Sequence, residues 1–290
     1  MRPSMLSALV GAFLSAVVVA QQPTAVAPTS PPTASQPAAS QATTPKLTDP
    51  QIEDFLLHAK VLKTKSASKG ITGSLRATMT DGTVTHDAHI QTIDERQQQF
   101  AGSNGGVEFD FRDSWTFNVA GYRVDRLIAM NMVPVSVERR WNYHDAAYTW
   151  WLDDVMMDEQ ERLKRKQEPP DTVVWNQQMQ MVRVFDELIA NVDRNLGNLM
   201  ITRDWRLWPI DHTRAFRTNH ELKKPANVTR ADRAVIERMK TLDKETLRHA
   251  ASKYLTTFQI DAILARRDAI VKRLDSLGPA SLYERTGWEP

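Results

Sequence analysis

One stretch, residues 184–213, constrains the fold of this chain more than any other. It begins with an apolar segment at helical spacing and continues into a polar loop that holds Asp193 and Asn198. Five positions separate Asp193 from Asn198, and 13 positions separate Asn198 from Asp211. The two short apolar segments before Asp211 have the character of paired strands. The pattern therefore predicts a helix, a loop and a β-hairpin that brings Asp211 back beside Asn198.

Composition narrows the classes of protein to which the chain can belong. Its 290 residues suffice for one or two domains with a large core. The formal net charge of +2 is too small to indicate binding to nucleic acid or to a membrane surface. The sequence contains no cysteine, which excludes disulfides, thiolate metal sites and cysteine nucleophiles. It also lacks the Gly-x-Ser-x-Gly and His-Glu-x-x-His motifs of serine and zinc hydrolases.

The first 46 residues predict export. Residues 1–20 have a positive start at Arg2, a nearly continuous apolar run and a small-residue cleavage site before Gln21, as in a secretory signal peptide. The alternative is an uncleaved N-terminal anchor, although the run is short for a membrane span. Residues 21–46 are rich in Pro, Ala, Ser and Thr and are expected to form a disordered linker. We expect a periplasmic or extracellular protein with no stable membrane span after signal removal.

Residues 47–152 have the pattern of a β-rich lobe. Alternating apolar residues on either side of Asp81-Gly82 indicate a hairpin, and later segments are rich in β-branched and aromatic residues. Ser114 stands where it could cap a helix with a broad apolar face. The expected elements are helices at 48–57 and 115–130 and strands at 75–79, 83–93, 132–138 and 147–152.

Several polar residues in this lobe occupy positions from which a ligand could be bound. Lys69 lies beside two glycines, so the turn could bring its backbone and ammonium close to a phosphate, although such a turn is more often structural. His86 and His89 are three positions apart on a strand, which places them on opposite faces and argues against a shared metal. Gln91 shares the face of His89.

Residues 153–278 are predicted to be mainly helical. A mixed charged helix is expected after Asp153-Asp154, ending at Pro169-Pro170. Thr256 and Gln259 fit a capping box, and Gly278-Pro279 would stop the last helix. The remaining expected elements are a buried helix at 175–189, strands at 199–202 and 206–210, and helices at 229–242, 244–255 and 259–277. The tail at 279–290 carries no functional signal.

The loop Asn191-Val-Asp-Arg-Asn-Leu-Gly-Asn198, followed by Ile210-Asp-His-Thr213, resembles the catalytic segment of the atypical branch of the kinase superfamily. It is similar to segments of phosphatidylinositol 3- and 4-kinases, HipA-type kinases and the secretory-pathway Golgi casein kinase family. Residues 60–275 as a whole look like an exported bacterial family of this superfamily. The resemblance implies an α+β, two-lobed protein-kinase-like fold, with a β-rich N-lobe at 47–152 and a helical C-lobe at 153–278.

The resemblance also implies residue roles. Asp193 would be the catalytic aspartate that orients the acceptor hydroxyl or accepts its proton. Asn198 and Asp211 would bind Mg²⁺ or Mn²⁺ through oxygen, which suits hard cations. Arg194 would pair with an acidic neighbour or with a phosphate. ATP or another nucleotide would be the phosphoryl donor.

Two positions depart from the family pattern. A kinase presents a strand lysine and a helix glutamate that pair next to the nucleotide phosphates. Here Gln91 occupies the strand position, and Asn118 is the inward polar residue of the following helix. The two changes agree with each other, because a lone glutamate facing a neutral amide would bring uncompensated charge near the phosphates. Gln91 and Asn118 are expected to line the nucleotide site, with Lys69 as a candidate substitute for the missing cation.

Two functions follow from these expectations. The first is metal-dependent transfer of a nucleotide γ-phosphoryl to a hydroxyl of a protein, lipid or small-molecule acceptor. The second is a pseudokinase that keeps the fold as a binding or scaffolding module. The set Asp193, Asn198 and Asp211 favours the enzyme, whereas Gln91 and Asn118 favour the pseudokinase.

Overall fold

The computed structural model describes residues 47–67, 74–101, 107–191 and 194–288. Lys69 and Asp193, as well as the expected signal peptide and linker, lie outside the described residues. Within these ranges the architecture is mixed α+β, as predicted, with most strands before residue 152 and most helices after it.

The N-terminal half is built on a five-stranded antiparallel sheet in the order β1-β2-β3-β7-β6. The turn between β2 and β3 contains Gly82 at φ 95°, a conformation that favours glycine, as the sequence pattern predicts. Phe55 and Leu56 of the first helix, α1, are buried in the core with the sheet. The elements are α1 (Asp49–His58), β1 (Lys60–Ser66), β2 (Leu75–Thr80), β3 (Thr85–Gln91), β6 (Ser136–Trp141) and β7 (His144–Trp150).

A second hairpin, which the sequence did not predict, separates this sheet from the next helix. It consists of β4 (Asp94–Ala101) and β5 (Val107–Ser114), paired antiparallel. The first six of the eight residues of β4 read Asp-Glu-Arg-Gln-Gln-Gln, so the strand lacks the apolar alternation that identifies a half-buried strand. Ser114 ends β5, and its Oγ accepts the backbone amide of Thr116 at 3.4 Å where the helix α2 (Thr116–Leu127) begins, which agrees with the expected capping position.

The strand predicted at 132–138 is also displaced. Met132 and Val133 donate their backbone amides to the buried carboxylate of Asp125, at 3.0 and 3.3 Å, so the chain turns there instead of pairing in the sheet. Strand β6 starts only at Ser136, and it meets β7 through a tight turn at Asn142 and Tyr143.

The C-terminal half begins with a small sheet in the order β10-β9-β8. The charged helix predicted after Asp154 starts later than expected, because β8 pairs with β9 before the chain becomes helical. The hairpin of β9 and β10 agrees with the sequence prediction. The elements are β8 (Val155–Asp158), α3 (Glu159–Lys164), α4 (Thr172–Leu188), β9 (Leu199–Thr202) and β10 (Leu207–Pro209).

In the described residues after β10, three α-helices and a short parallel strand pair follow. The capping box of Thr256 and Gln259 is confirmed at the start of the last helix, and Gly278 follows its end with φ 80°. These elements are β11 (Ala231–Asp232), α5 (Arg233–Thr241), α6 (Lys244–Ala251), α7 (Thr257–Ser276) and β12 (Leu282–Tyr283). Among the described residues, no helix is both long and apolar enough to span a membrane.

Candidate functional site

The hairpin of β9 and β10 brings Asn198 and Asp211 together. Asn198 closes a 3₁₀ turn (Leu196–Asn198) just before β9, and Asp211 follows β10 by two residues. The register pairs Leu199 with Pro209, and the Ile210 amide donates to the Asn198 carbonyl at 2.9 Å. As a result Asn198 Nδ2 donates to Asp211 Oδ2 at 3.3 Å. Two oxygen-bearing side chains thus meet at the open end of one hairpin.

Asp211 has an unusual backbone conformation. Its φ is 57°, a left-handed value that costs a non-glycine residue about 1–2 kcal/mol but that aspartate tolerates better than most residues. Thr213 Oγ1 donates to Asp211 Oδ1 at 3.1 Å, and the residue as a whole is exposed. The carboxylate is therefore oriented by its own turn while remaining accessible to a ligand.

Asp186 of α4 organises the loop before Asn198, and the sequence reasoning missed it. Arg194 forms an ion pair with Asp186 at 2.9 Å, and both side chains are nearly buried. Arg194 Nη1 also donates to the Ile210 carbonyl at 2.6 Å, while Asn191 Nδ2 donates to Asp186 Oδ1 at 3.1 Å. Of the two partners expected for Arg194, the structure shows the acidic neighbour. An aspartate in the last turn of α4, just before the polar loop, was the signal that could have indicated Asp186.

The N-terminal half reaches this site through a buried pair of amides. Asn118 Nδ2 of α2 donates to Gln91 Oε1 of β3 at 2.6 Å, and both residues are about 5% exposed. Asn118 Oδ1 accepts the backbone amide of His212 at 2.8 Å. A continuous set of hydrogen bonds therefore runs from Gln91 through Asn118 to the residue next to Asp211. No charge is involved.

His212 fills the space between α2 and α4. Its ring lies edge-on to Phe185, with centroids 5.8 Å apart, and a Cβ on Gly121 would lie only 3.3 Å from its Cγ. Burial lowers the pKa of His212 well below its usual value, and the positive charge of Arg194 acts in the same direction. His212 is therefore a neutral packing residue. Gly121 allows α2 to approach it closely.

The two histidines of β3 lie on different faces of the strand. His86 stacks on Trp150 at 3.5 Å and contacts Asp153 at 3.0 Å. His89 shares the face of Gln91; burial lowers its pKa, and the nearby charge of Asp211 opposes that shift. No group of three or more His, Asp or Glu side chains in the described ranges could hold a metal by itself.

A surface cavity of about 380 Å³ lies beside the 3₁₀ turn of Asn198. A Cβ on Gly197 would lie 3.6 Å from Gln160 Oε1, so the wall of the cavity borders the turn directly. The lining combines thioether, carboxylate, amide and ammonium groups and is formed by Met156, Met157, Asp158, Gln160, Glu161 and Lys164. Such a mixed surface can receive a polar ligand.

Comparison with solved structures identifies the architecture. A structure of the Golgi casein kinase is similar over 83% of this chain and 79% of that chain, with a TM-score of 0.55 and 13% sequence identity. The Helicobacter pylori proinflammatory kinase CtkA gives a TM-score of 0.42 and 9% identity, over 77% of this chain and 95% of that one. The sequence matches no family model and no curated protein. The two-lobed fold is protein-kinase-like, with a β-rich N-lobe and a helical C-lobe.

Proposed function

We propose that the protein is a metal-dependent phosphotransferase that moves a nucleotide γ-phosphoryl group to a hydroxyl acceptor. In this proposal Asp193 is the catalytic aspartate, and Asn198 and Asp211 hold Mg²⁺ or Mn²⁺. The bound cation would neutralise charge on the phosphates of ATP or another nucleotide. Asp193 lies outside the described residues, so its role rests on the sequence alone.

The observation that carries the proposal is the 3.3 Å contact between Asn198 and Asp211. The donor set fits a hard divalent cation, because a carboxylate and an amide carbonyl are oxygen ligands of the preferred kind. The Asn198 amide now presents its nitrogen to Asp211, but turning the amide over presents its oxygen instead. Arg194, paired with Asp186, would hold the two ligand residues in place while the cation binds, since its Nη1 donates to the backbone carbonyls of Asn198 and Ile210 at 3.4 and 2.6 Å.

The pseudokinase remains the second candidate function, and the Gln91–Asn118 hydrogen bond is the observation that favours it. A neutral amide pair can donate to a phosphate but supplies no compensating charge. We propose that Gln91 and Asn118 line the nucleotide site in either case. Lys69, which lies outside the described residues, would supply a cation in the enzyme reading.

The acceptor would approach from the side of the cavity next to Asn198. Its mixed lining suits a polar hydroxyl-bearing group, whether on a protein, a lipid headgroup or a small molecule. We also propose that the protein is exported, because residues 1–20 have the pattern of a signal peptide. A relationship to HipA-type and phosphatidylinositol kinases belongs to the same proposal.

The proposal is tested by thermal unfolding of the purified protein with and without ATP and Mn²⁺. A ligand that binds only the folded state raises the melting temperature by mass action, and 100 times its dissociation constant adds about 2.7 kcal/mol. We expect a rise that requires both ATP and Mn²⁺ and that disappears in Asp211→Ala. Phosphate transfer is then measured as metal-dependent ADP release, which should be lost in Asp193→Ala.

Asp204→Ala is the matched control, because Asp204 lies in the turn of the same hairpin at the end opposite Asp211. It should lower stability without changing the response to ATP and Mn²⁺. A melting temperature that is unaffected by nucleotide and metal in every variant would contradict nucleotide binding. Binding without ADP release would favour the pseudokinase.

A further inference from the structure

The loop that follows α2 is held by arginines from distant parts of the chain. Arg285, near the C-terminus, donates to the carbonyls of Ala129 and Met130 at 3.3 and 3.2 Å. Arg206, in the turn between β9 and β10, donates to the carbonyl of Asn131 at 2.5 Å. Three consecutive carbonyls of one loop are thus bound by two guanidinium groups. Hydrogen bonds with a charged donor are stronger than those between neutral groups.

This loop adopts a conformation that needs such support. Ala129 and Asn131 have φ values of 54° and 57°, in the left-handed region that side chains disfavour. Strained residues of this kind persist only where the surrounding contacts determine them. The amides of the next two residues are held by Asp125 of α2 itself. The arginines therefore fix the loop from outside, and Asp125 ties it to the helix.

Arg285 belongs to a segment, residues 282–288, that is closely packed on the C-lobe. It pairs with Asp232, which is 1% exposed, and its guanidinium lies 4.1 Å from the centre of the Trp288 ring. Gln177 of α4 binds the segment at both ends, accepting from Tyr283 Oη through its carbonyl at 2.7 Å and from Trp288 Nε1 through its side chain at 3.3 Å. The tail, whose sequence carries no functional signal, thus makes specific contacts with the C-lobe.

We propose that residues 282–288 form a C-terminal latch, and that Arg285 is a positioning residue for the site, acting through α2. A rigid helix of 12 residues joins the held loop to Asn118, whose side-chain carbonyl accepts the His212 amide. Holding the loop fixes the position of α2, and α2 places Asn118 against Gln91 and beside Asp211. The effect of the latch on nucleotide binding rests on the function proposed above. The mechanical link between Arg285 and the His212 amide is independent of that function.

The test compares wild type with the double variant Asp232→Asn, Arg285→Met, because removing Arg285 alone would leave a buried carboxylate without its partner. The Asp232→Asn substitution keeps the side-chain oxygen that accepts from the Ala234 amide at the start of α5. Amide hydrogen exchange is followed at the loop, at His212 and, as an internal reference, along α7. We expect exchange of the loop and His212 amides to rise about tenfold relative to α7, since local opening becomes easier.

Arg285→Lys is the second variant, because it retains the charge opposite Asp232 but offers a single nitrogen to the loop carbonyls. Arg285→Lys should also raise the amide exchange of the loop and of His212 relative to α7, but by less than the double variant. Arg233→Ala is the matched control. Arg233 pairs with Glu284 of the same segment at 2.7 Å, whereas the loop carbonyls are bound by Arg285 and Arg206. Arg233→Ala should therefore leave the exchange of the loop and of His212 unchanged.

Affinity for ATP and Mn²⁺ is measured on the same proteins and is expected to fall about fivefold in the double variant, a typical coupling. Exchange at His212 that rises only in step with α7 would overturn the latch, because it would indicate a loss of global stability alone. Increased exchange at His212 with unchanged affinity would overturn the positioning role. If wild type binds no nucleotide, the proposed function is wrong. The exchange pattern alone then tests whether residues 282–288 act as a latch.

Discussion

At the scale of single residues, the pair Gln91 and Asn118 can be tested by restoring charge. Both side chains are buried and hydrogen-bonded at 2.6 Å, so a lysine at position 91 would be a buried cation facing an amide. We expect Gln91→Lys to destabilise the fold by about 2–4 kcal/mol, as measured by urea unfolding. A glutamate at position 118 supplies a counter-charge and can still accept the His212 amide.

The double variant Gln91→Lys/Asn118→Glu should therefore be more stable than the sum of the two single variants predicts. The coupling energy of the double-mutant cycle is expected to be about 1–3 kcal/mol. A coupling near zero would show that the two side chains do not act as one unit. If the missing charge limits nucleotide binding, the double variant should also bind ATP and Mn²⁺ more tightly than wild type.

At the scale of elements, α7 supports the segment that follows Asp211. Arg266 is fully buried, and burial lowers its pKa to about 10. It donates to the carbonyls of Leu188, at 2.9 Å, Arg217, at 3.0 Å, and Asn219. Arg266→Met would remove the donor of the buried Leu188 carbonyl and would release the chain at residues 217 and 219. We expect a loss of about 3 kcal/mol in the free energy of unfolding.

Lys272→Met is the matched control for this prediction, because Lys272 is exposed on the same helix. Its effect should remain within about 0.5 kcal/mol. Arg266→Lys keeps the charge but cannot reach all three carbonyls. Its free energy of unfolding should therefore lie between those of Arg266→Met and Lys272→Met. Equal stability of Arg266→Met and wild type in urea would contradict the supporting role of α7.

Strong local sequence signals predicted elements correctly. The predictions failed where pairing with a distant segment determined the secondary structure. Thr256 and Gln259 identified the start of α7, because a capping box is a contact between near neighbours. Val155–Asp158 was assigned to a charged helix, yet its pairing partner in β9 lies more than 40 residues further along. Polar β4 was missed because its partner is β5, and its own sequence has no strand pattern.

The same division applies to the site. The meeting of Asn198 with Asp211 could be predicted, since both flank one short hairpin. The contact between Gln91 and Asn118 could be expected only from the family resemblance, because 27 positions separate them. Nothing in the sequence indicated the contacts of Arg285. Its partner carbonyls are 155 and 156 positions away, and a backbone acceptor leaves no trace in the sequence.

At the scale of the whole molecule, the two lobes share contacts that should make them unfold together. The Ser114 amide donates to the Thr213 carbonyl at 2.8 Å, close to the bond between His212 and Asn118. Tyr254, which lies after α6, packs against the cluster formed by Trp115, Val119 and Ala147. Residues 46–290 form one compact unit. Because His212 lies at the centre of these contacts, its protonation state matters for the stability of the whole fold.

Acid should weaken this fold through His212. The folded-state pKa of His212 lies well below 6.5, whereas the unfolded chain binds the proton near pH 6.5. Below about pH 6.5 the unfolded state thus holds more protons, and the free energy of unfolding falls by up to about 1.4 kcal/mol per pH unit. Buried Asp125, whose pKa is raised to about 6, contributes with the opposite sign as pH falls. The measured change of the free energy of unfolding with pH therefore combines the contributions of His212 and Asp125.

Comparing slopes isolates the contribution of His212. Urea unfolding of wild type and His212→Asn between pH 7 and pH 5 should show a weaker acid-induced loss of stability in the variant, although its stability at pH 7 is lower. His89, whose pKa burial also lowers, and Asp125 are present in both proteins, so their contributions cancel in the difference. Parallel slopes would mean that His212 is already protonated, or solvated, in the folded protein. Coincident transitions by circular dichroism and tryptophan fluorescence would establish that one cooperative unit is being measured.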